Sequence, residues 1–453
     1  MSRRSVRGML LIPEPTAAGR WFLPEAGGAA AWLIAQGFGP GDRLGFAVAP
    51  GPVAAGILQA ALELGICLVL FNRRLTPGEC AALHARSRVK TVLISGVHPL
   101  GILNIPRLEV PAVLHPGPAP VTVPGDDLPA LVLFTSGTTG QAKAAVLFRG
   151  AVRAAARSSA ARMALSPSDT WLGCMPLDHA GGAMVVHRQT VSGCRVLLRP
   201  RFDTAEVNGI LDTGQATGLS VVPTMLHRLV AAREGRPWPQ SLRLILAGGG
   251  PLAEPLAWAS LALGLAPVQT YGLTECAGQL CTLAPEDAAA GIGTCGHPVD
   301  GMAVRIRDGQ VEFRGPALFA GYEDATGTPC LPLTPDGWFA TGDLGAFDGN
   351  GRLELYCRRS DLIVSGGENV YPAEVEGVLE AHPRVAEAMV HGDPDSEWGQ
   401  VVCATVATRD GTDLTEEERR TAVAGLAGYK RPRRWRFVAA LPRTSSGKLS
   451  RRG

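Results

Sequence analysis

Apolar residues recur along the first part of the chain in two alternating rhythms. Val53 to Leu64 shows helical spacing, Ile66 to Phe71 is a short continuous apolar run, Pro77 to Ser87 is helical again and Thr91 to Ile94 again strand-like. Strands separated by helical segments are joined by crossovers, so this alternation predicts βαβ units on largely parallel sheets. Pro and Gly crowd the stretch from Pro111 to Pro129, which predicts an exposed crossing into a second α/β block running from Leu131 to about Gln279. Beyond it the rhythm shortens. Val304 to Phe313, Trp338 to Thr341 and Arg352 to Tyr356 are β-type runs divided by Gly, Asp and Asn, with Asp348 and Asn350 as turn residues, and they predict a small antiparallel β subdomain. Residues from about Asp361 onward form a further compact unit.

Composition narrows the class. A chain of 453 residues, 46% hydrophobic and 19% charged, is globular and long enough for at least two cores. Its formal net charge of +2 gives no electrostatic case for nucleic acid as a partner. The apolar run from Met9 to Ile12 stops at Pro13, too short for a signal-peptide core, and the stretch from Ile57 to Phe71 is interrupted by Gln59, Glu63 and Gly65, so no integral membrane segment is expected. Ten cysteines include no CxxC pair, and Cys276 and Cys281 lack histidines at metal-ligand spacing. Buried reduced thiols and a cytoplasmic setting are the expectation. A homodimer is among the assemblies the sequence leaves open.

The densest chemistry lies in LVLFTSGTTGQAK, Leu131 to Lys143. A buried strand, Leu131 to Phe134, runs into a loop in which Gly137 and Gly140 permit sharp turns and close backbone approach. Thr135, Ser136, Thr138 and Thr139 add four hydroxyls and Lys143 a mobile positive charge, a set suited to a polyphosphate. Gln141 and Ala142 separate Gly140 from Lys143, and Ala144 follows it, which excludes a Walker loop.

Five further segments follow in order: Tyr271-Gly-Leu-Thr-Glu275, Thr341-Gly-Asp-Leu-Gly345, Arg358 to Asp361, Gly366-Gly-Glu-Asn369 and Pro442-Arg-Thr-Ser-Ser-Gly-Lys448. With the hydroxyl loop they resemble the adenylate-forming superfamily of acyl-CoA synthetases, adenylation domains and luciferases, over essentially the whole chain. The resemblance implies an α/β fold: an N-terminal AMP-binding domain, residues 1–357, of two α/β subdomains and a small β subdomain, a hinge at 358–360, and a small mobile α+β C-terminal domain, 361–453. It also implies a two-step reaction, in which a carboxylate attacks the α-phosphate of Mg²⁺-bound ATP and a thiol then displaces AMP.

The residue roles carried by that resemblance agree with side-chain chemistry. Thr274 contacts the α-phosphate and Glu275 holds Mg²⁺, a hard cation that prefers carboxylate oxygen. Tyr271, Gly272 and the turn Gly248, Gly249, Gly250 form the adenine slot, Asp343 accepts from the ribose hydroxyls, and Lys143, Arg358 and Lys448 supply positive charge. Lys448 further orients carboxylate and α-phosphate. Ser360 marks the hinge, where many relatives carry Asp or Lys. Ala142 and Ala144 replace the usual Pro and Gly around Lys143, which loosens the loop and adds a methyl, with activity expected to survive.

His179, within Met175-Pro-Leu-Asp-His-Ala-Gly-Gly182, stands where relatives border the acyl site and thiol tunnel. Gly366 and Gly367, in a stretch resembling CoA ligases, are assigned to CoA, and no carrier domain is expected. The nine Lys/Arg from Lys430 to Arg452, with no acidic residue among them, suit CoA phosphates. Leu70-Phe-Asn-Arg-Arg-Leu-Thr-Pro-Gly-Glu79 and Tyr271 to Gln279 with Thr282-Leu-Ala-Pro285 resemble the o-succinylbenzoate ligases of menaquinone synthesis. For that aromatic diacid, Arg188 and Gln279 are candidates for the polar end of the pocket, the competing reading placing Arg188 on an exposed helix face. The rival activities are a ligase for benzoate or another small aryl acid, and a catalytically silent nucleotide-binding homologue.

Overall fold

The computed structural model describes residues 10–16, 21–73, 75–118, 124–135, 142–365, 368–395, 398–443 and 449. Four of the predicted early elements stand close to their expected bounds: helix Pro52–Leu64, strand Cys67–Leu70, helix Pro77–Ser87 and strand Thr91–Ile94. Among the described residues they contribute to an eight-stranded sheet whose strands Pro129–Thr135, Cys67–Leu70, Arg43–Ala47, Thr91–Ile94 and Arg107–Glu109 run parallel in that spatial order. Its other edge is antiparallel. Lys143–Phe148 folds back on Pro129–Thr135, and Gly321–Glu323 and Pro329–Cys330, almost two hundred residues later, complete it.

A second eight-stranded sheet is parallel through Arg195–Leu198, Thr170–Gly173, Gly218–Val221, Leu244–Ala247 and Val268–Tyr271, with Leu10–Leu11, Cys281–Thr282 and His297–Pro298 antiparallel at its edges. Helices Pro52–Leu64 and Ala180–Ser192 are buried around nearly their whole circumference and share one core with both sheets, as an all-round apolar helix must. Gln59 is tolerated in that layer because it accepts from Leu23 N and donates to Trp21 O.

The predicted β subdomain is a four-stranded antiparallel sheet of Ala303–Arg307, Gln310–Arg314, Phe339–Phe347 and Leu353–Arg358. Asp348 accepts from the backbone of Asn350 and Arg352, as a turn residue should. Residues Ile363 to Phe437 build a separate core, in which Val375, Leu379, Val390, Val402 and Val406 pack helix Pro372–Glu380 onto strands Val385–Asp395 and Gly399–Thr408. None of the ten cysteines forms a disulfide; two depart from the expected burial, Cys330 being exposed and Cys357 half-buried, because both lie on strands at sheet margins. No helix among the described residues is long and apolar enough to cross a membrane.

Candidate active site

The two α/β blocks present the carboxyl ends of their parallel strands to a shared region, the usual ligand side of such sheets. The ends flanking the hydroxyl loop are joined as a hairpin: Thr135 on Pro129–Thr135 lies directly opposite Lys143 on Lys143–Phe148. Ser136, Gly137, Thr138, Thr139 and Gly140 fall outside the described residues. A hairpin, not a strand-to-helix turn, holds these ends, which agrees with the exclusion of a Walker loop.

Lys143 is exposed, and its Nζ rests 4.9 Å from the centre of the Tyr322 ring. Tyr322 lies on Gly321–Glu323, opposite Ala145, and its Oη donates to Glu275 Oε1 at 2.5 Å. Glu275 itself is 8% exposed within the short turn Thr274–Cys276, and Phe319 N donates to its backbone carbonyl. Among the described residues only Tyr322 hydrogen-bonds the Glu275 carboxylate, so its other oxygen remains for a cation, and Thr274 stands partly exposed beside it. The residues fit a hard divalent ion such as Mg²⁺.

Tyr271 ends the strand Val268–Tyr271, next to the turn Gly248 to Gly250 that follows Leu244–Ala247. Gly248 admits no side chain, since a Cβ there would meet Thr270 Cγ2 at 2.6 Å, and Gly249 has φ +79°. Gly272 passes so close to Gly278 that a Cβ would meet its carbonyl oxygen at 2.3 Å. The Tyr271 hydroxyl donates to Asp343 Oδ2 at 2.6 Å, while Arg358 Nε stands 2.7 Å from Oδ1 across the strand pair Phe339–Phe347 and Leu353–Arg358. Burial, and next the Asp343 charge, push the Tyr271 phenol well above its ordinary range. Asp343, expected to receive ribose, therefore already has protein partners on both oxygens.

His179 caps helix Ala180–Ser192, and its Nε2 lies 2.9 Å from Asn72 Nδ2. With the amide nitrogen donating, Nε2 is the acceptor and the ring proton sits on Nδ1. Arg73 N donates to Asp178 Oδ2 at 3.0 Å, so Asn72-Arg73 bolts the first block to the Asp178-His179 turn of the second.

Arg188, on the same helix, is 3% exposed, which overturns the exposed-face reading. Its guanidinium stacks 4.9 Å from the Trp171 ring centre and reaches Ser159 Oγ, Gln279 Oε1 and Ser220 Oγ, each at 3.4 Å. Gln279 also accepts from Ser159 and donates to Thr282 Oγ1 at 3.0 Å. The structure thus joins Arg188 and Gln279, and Gly278 lies against Ala180, next to His179. No carboxylate among the described residues pairs with Arg188, and burial pulls its pKa down to about 10.

Ser360 is exposed, its hydroxyl donating to Asp361 Oδ1 at 3.0 Å just beyond Arg358. Gly366, Gly367 and Lys448 lie outside the described residues. Sequence reasoning missed Asn72, Ser159, Ser220 and Tyr322. Asn72 stood inside a quoted stretch, but the others follow no local pattern. One trio, His391, Asp393 and Cys403, brings potential ligand atoms within 4.8 Å of one another, yet Arg434 holds Asp393 at 3.1 Å and the trio belongs to the C-terminal sheet.

Residues 22–323 match the model of the AMP-binding enzyme family and residues 374–448 that of the AMP-binding enzyme C-terminal domain. The 2-succinylbenzoate–CoA ligase of Bacillus cereus is 40% identical over 334 residues, 71% of this chain and 68% of that protein. The o-succinylbenzoate CoA synthetase of Bacillus subtilis, solved with the acyl-adenylate intermediate OSB-AMP, is 30% identical with a TM-score of 0.82, covering 94% of this chain and 90% of that one. The same Bacillus subtilis protein in complex with ATP and magnesium ion aligns at 29% identity and TM-score 0.80 over 97% and 95% of the two chains.

Proposed function

This chain belongs to the AMP-binding enzyme family, and we propose that it ligates 2-succinylbenzoate to CoA through an acyl-adenylate. One carboxylate oxygen bonds to the α-phosphorus of ATP as pyrophosphate leaves; the CoA sulfur then bonds to the acyl carbon as AMP leaves and the thiol proton passes to solvent or base. The reaction belongs to menaquinone synthesis. The observation that supports the substrate is Arg188, a buried cation beside Gln279 with no carboxylate partner among the described residues, with which the second carboxylate of a diacid would pair.

The chain's residues divide the work. Thr135 and Lys143 fix the ends of the loop that grips the polyphosphate, and Lys143 leaves the Tyr322 ring for it because an exposed cation–π contact holds only ~0.5–1 kcal/mol. Glu275 and Thr274 are the residues that would hold Mg²⁺ and the α-phosphate; the ion, when bound, neutralises charge on the phosphate oxygens. Asp343 exchanges its protein donors for ribose hydroxyls, between Tyr271 and the glycine turn that admit adenine. His179, fixed by Asn72, borders the acyl group, and Lys448 bridges carboxylate and α-phosphate. Gly366, Gly367 and the basic C-terminal stretch meet CoA.

The separate core of Ile363 to Phe437 supports a division into 1–357 and 361–453 about the hinge 358–360, where the Arg358–Asp343 pair would break or persist with domain rotation. Free cysteines support a cytoplasmic setting. A homodimer is tested by analytical ultracentrifugation.

The deciding experiment incubates purified protein with Mg²⁺, ATP and CoA against 2-succinylbenzoate, benzoate, hydroxybenzoates, cinnamates and medium-chain fatty acids, scoring AMP and acyl-CoA by mass spectrometry. Selective formation of the 2-succinylbenzoyl thioester is expected. Preference for a monoacid would overturn the substrate, and absence of AMP with every acid would overturn the ligase.

A further inference from the structure

We propose that Tyr322 is a positioning residue for adenylation, a neutral spacer that holds Glu275 in one orientation while keeping it from pairing with Lys143. Gly321 has φ +135°, and a Cβ there would meet the Cys330 carbonyl carbon at 2.4 Å, so the strand can turn at this point only through glycine. The register Gly321 to Val146 and Tyr322 to Ala145 then fixes the tyrosine beside the strand that starts at Lys143. Phe319 packs edge-on against the Tyr322 ring at 4.8 Å and, through its amide, holds the Glu275 carbonyl. The segment from Phe319 to Tyr322 therefore grips Glu275 at both backbone and side chain.

Two opposite charges approach this one ring. Lys143 Nζ lies over its face at 4.9 Å, and the Glu275 carboxylate accepts from its hydroxyl at 2.5 Å. No ion pair joins Lys143 to Glu275 among the described residues. Such a pair would occupy both the cation meant for phosphate and the carboxylate meant for the metal ion. A phenol avoids this, because its π-face attracts ammonium while its edge donates to carboxylate. The neutral phenol is itself a hydrogen-bond donor, so it satisfies the carboxylate without adding a charge. With one oxygen held, the other is presented in a fixed direction, and that presentation lowers the reorganisation needed when magnesium-bound nucleotide arrives.

This inference rests on the nucleotide assignment above but not on the identity of the acid. The test compares wild type with Tyr322→Phe, which keeps ring and fold and removes the hydroxyl, using titration calorimetry of ATP with Mg²⁺ and of ATP in EDTA. Binding of magnesium-loaded ATP is expected to weaken about tenfold, the change expected from one hydrogen bond to a charged group, with metal-free ATP unchanged. In single-turnover assays the Mg²⁺ concentration for half-maximal acyl-adenylate formation should rise by the same factor, while thioester formation from preformed adenylate stays constant. Tyr322→Leu, lacking ring and hydroxyl, should in addition weaken metal-free ATP binding, as Lys143 pairs with Glu275. Unchanged Mg²⁺ dependence in Tyr322→Phe, or equal losses in both half-reactions, would overturn the proposal. If wild type binds ATP but activates no acid, the ligase reading fails while the calorimetry still decides Tyr322.

Discussion

The residues proposed for the nucleotide and those proposed for the acyl group treat charge in opposite ways. Among the described residues proposed for the nucleotide, each charge already has a protein contact: Glu275 with Tyr322, Lys143 with the Tyr322 ring, and Asp343 with Tyr271 and Arg358. At the proposed acyl end Arg188 is more deeply buried than any of these, yet among the described residues it meets only hydroxyls, an amide oxygen, a thioether and an indole face. The first region is organised for exchange, trading protein partners for ligand atoms at small net cost. The second holds a cation with no carboxylate partner among the described residues, which the proposed diacid would supply. A nucleotide common to many enzymes can be met by an exchangeable site; selecting one diacid calls for a group that is costly when left alone.

The largest effect should follow Arg188→Met, which keeps volume and removes the charge. Turnover of 2-succinylbenzoate, as kcat/KM, is expected to fall about 100- to 1000-fold, as for loss of a buried charge partner, while benzoate changes little. The ligand-free variant should resist urea better, by ~1 kcal/mol or more, because an unpaired buried charge is gone. Opposite signs on activity and stability would sharpen the contrast; parallel losses for all acids would break it.

His187, one residue earlier and fully buried, provides an internal comparison. Burial, and next the charge of Arg153, pull its pKa down to about 4 from an ordinary 6.5, and neither ring nitrogen has a partner among the described residues. The histidine can shed its proton where Arg188 cannot. Since the unfolded chain takes up that proton first, stability is complete above about 6.5 and is lost as pH falls through about 4, by roughly 3 kcal/mol at most. His187→Gln should flatten the dependence of unfolding free energy on pH across this window. An unaltered slope would mean that other groups set it.

The smallest effect belongs to the exchangeable side. Tyr271→Phe should lower stability by ~1–2 kcal/mol through loss of the bond to Asp343, while ATP affinity measured by calorimetry moves less than about threefold. A large loss of affinity would show that the hydroxyl serves the nucleotide directly, and would blur the distinction drawn here.

The residues proposed for the nucleotide were legible as candidates because each travels in a short contiguous signal: Thr135 and Lys143 bracket one loop, Thr274 and Glu275 follow Tyr271, and Asp343 sits in Thr-Gly-Asp. The helical and strand rhythms likewise located Pro52–Leu64, Cys67–Leu70 and Pro77–Ser87, since local periodicity reflects local burial. The return of Gly321–Glu323 to the first sheet was not legible, because no periodicity encodes which distant edge a strand joins. Tyr322 was missed for the same reason. A turn glycine followed by an aromatic residue was the one signal available, and it is common in loops.

What the sequence by itself determined is therefore the chemistry carried by neighbours in the chain: the hydroxyl loop, the carboxylates, the order of segments and the α/β class. What only the tertiary structure decided is which of these charges are shared and which are left alone. Asn72 reaches His179 over 107 residues, Ser159 reaches Gln279 over 120, and Arg188 becomes a buried cation only because its helix is enclosed between two sheets. The worth of a charge depends on its surroundings in three dimensions, on solvent removed and partners supplied, and neither is written in residue spacing.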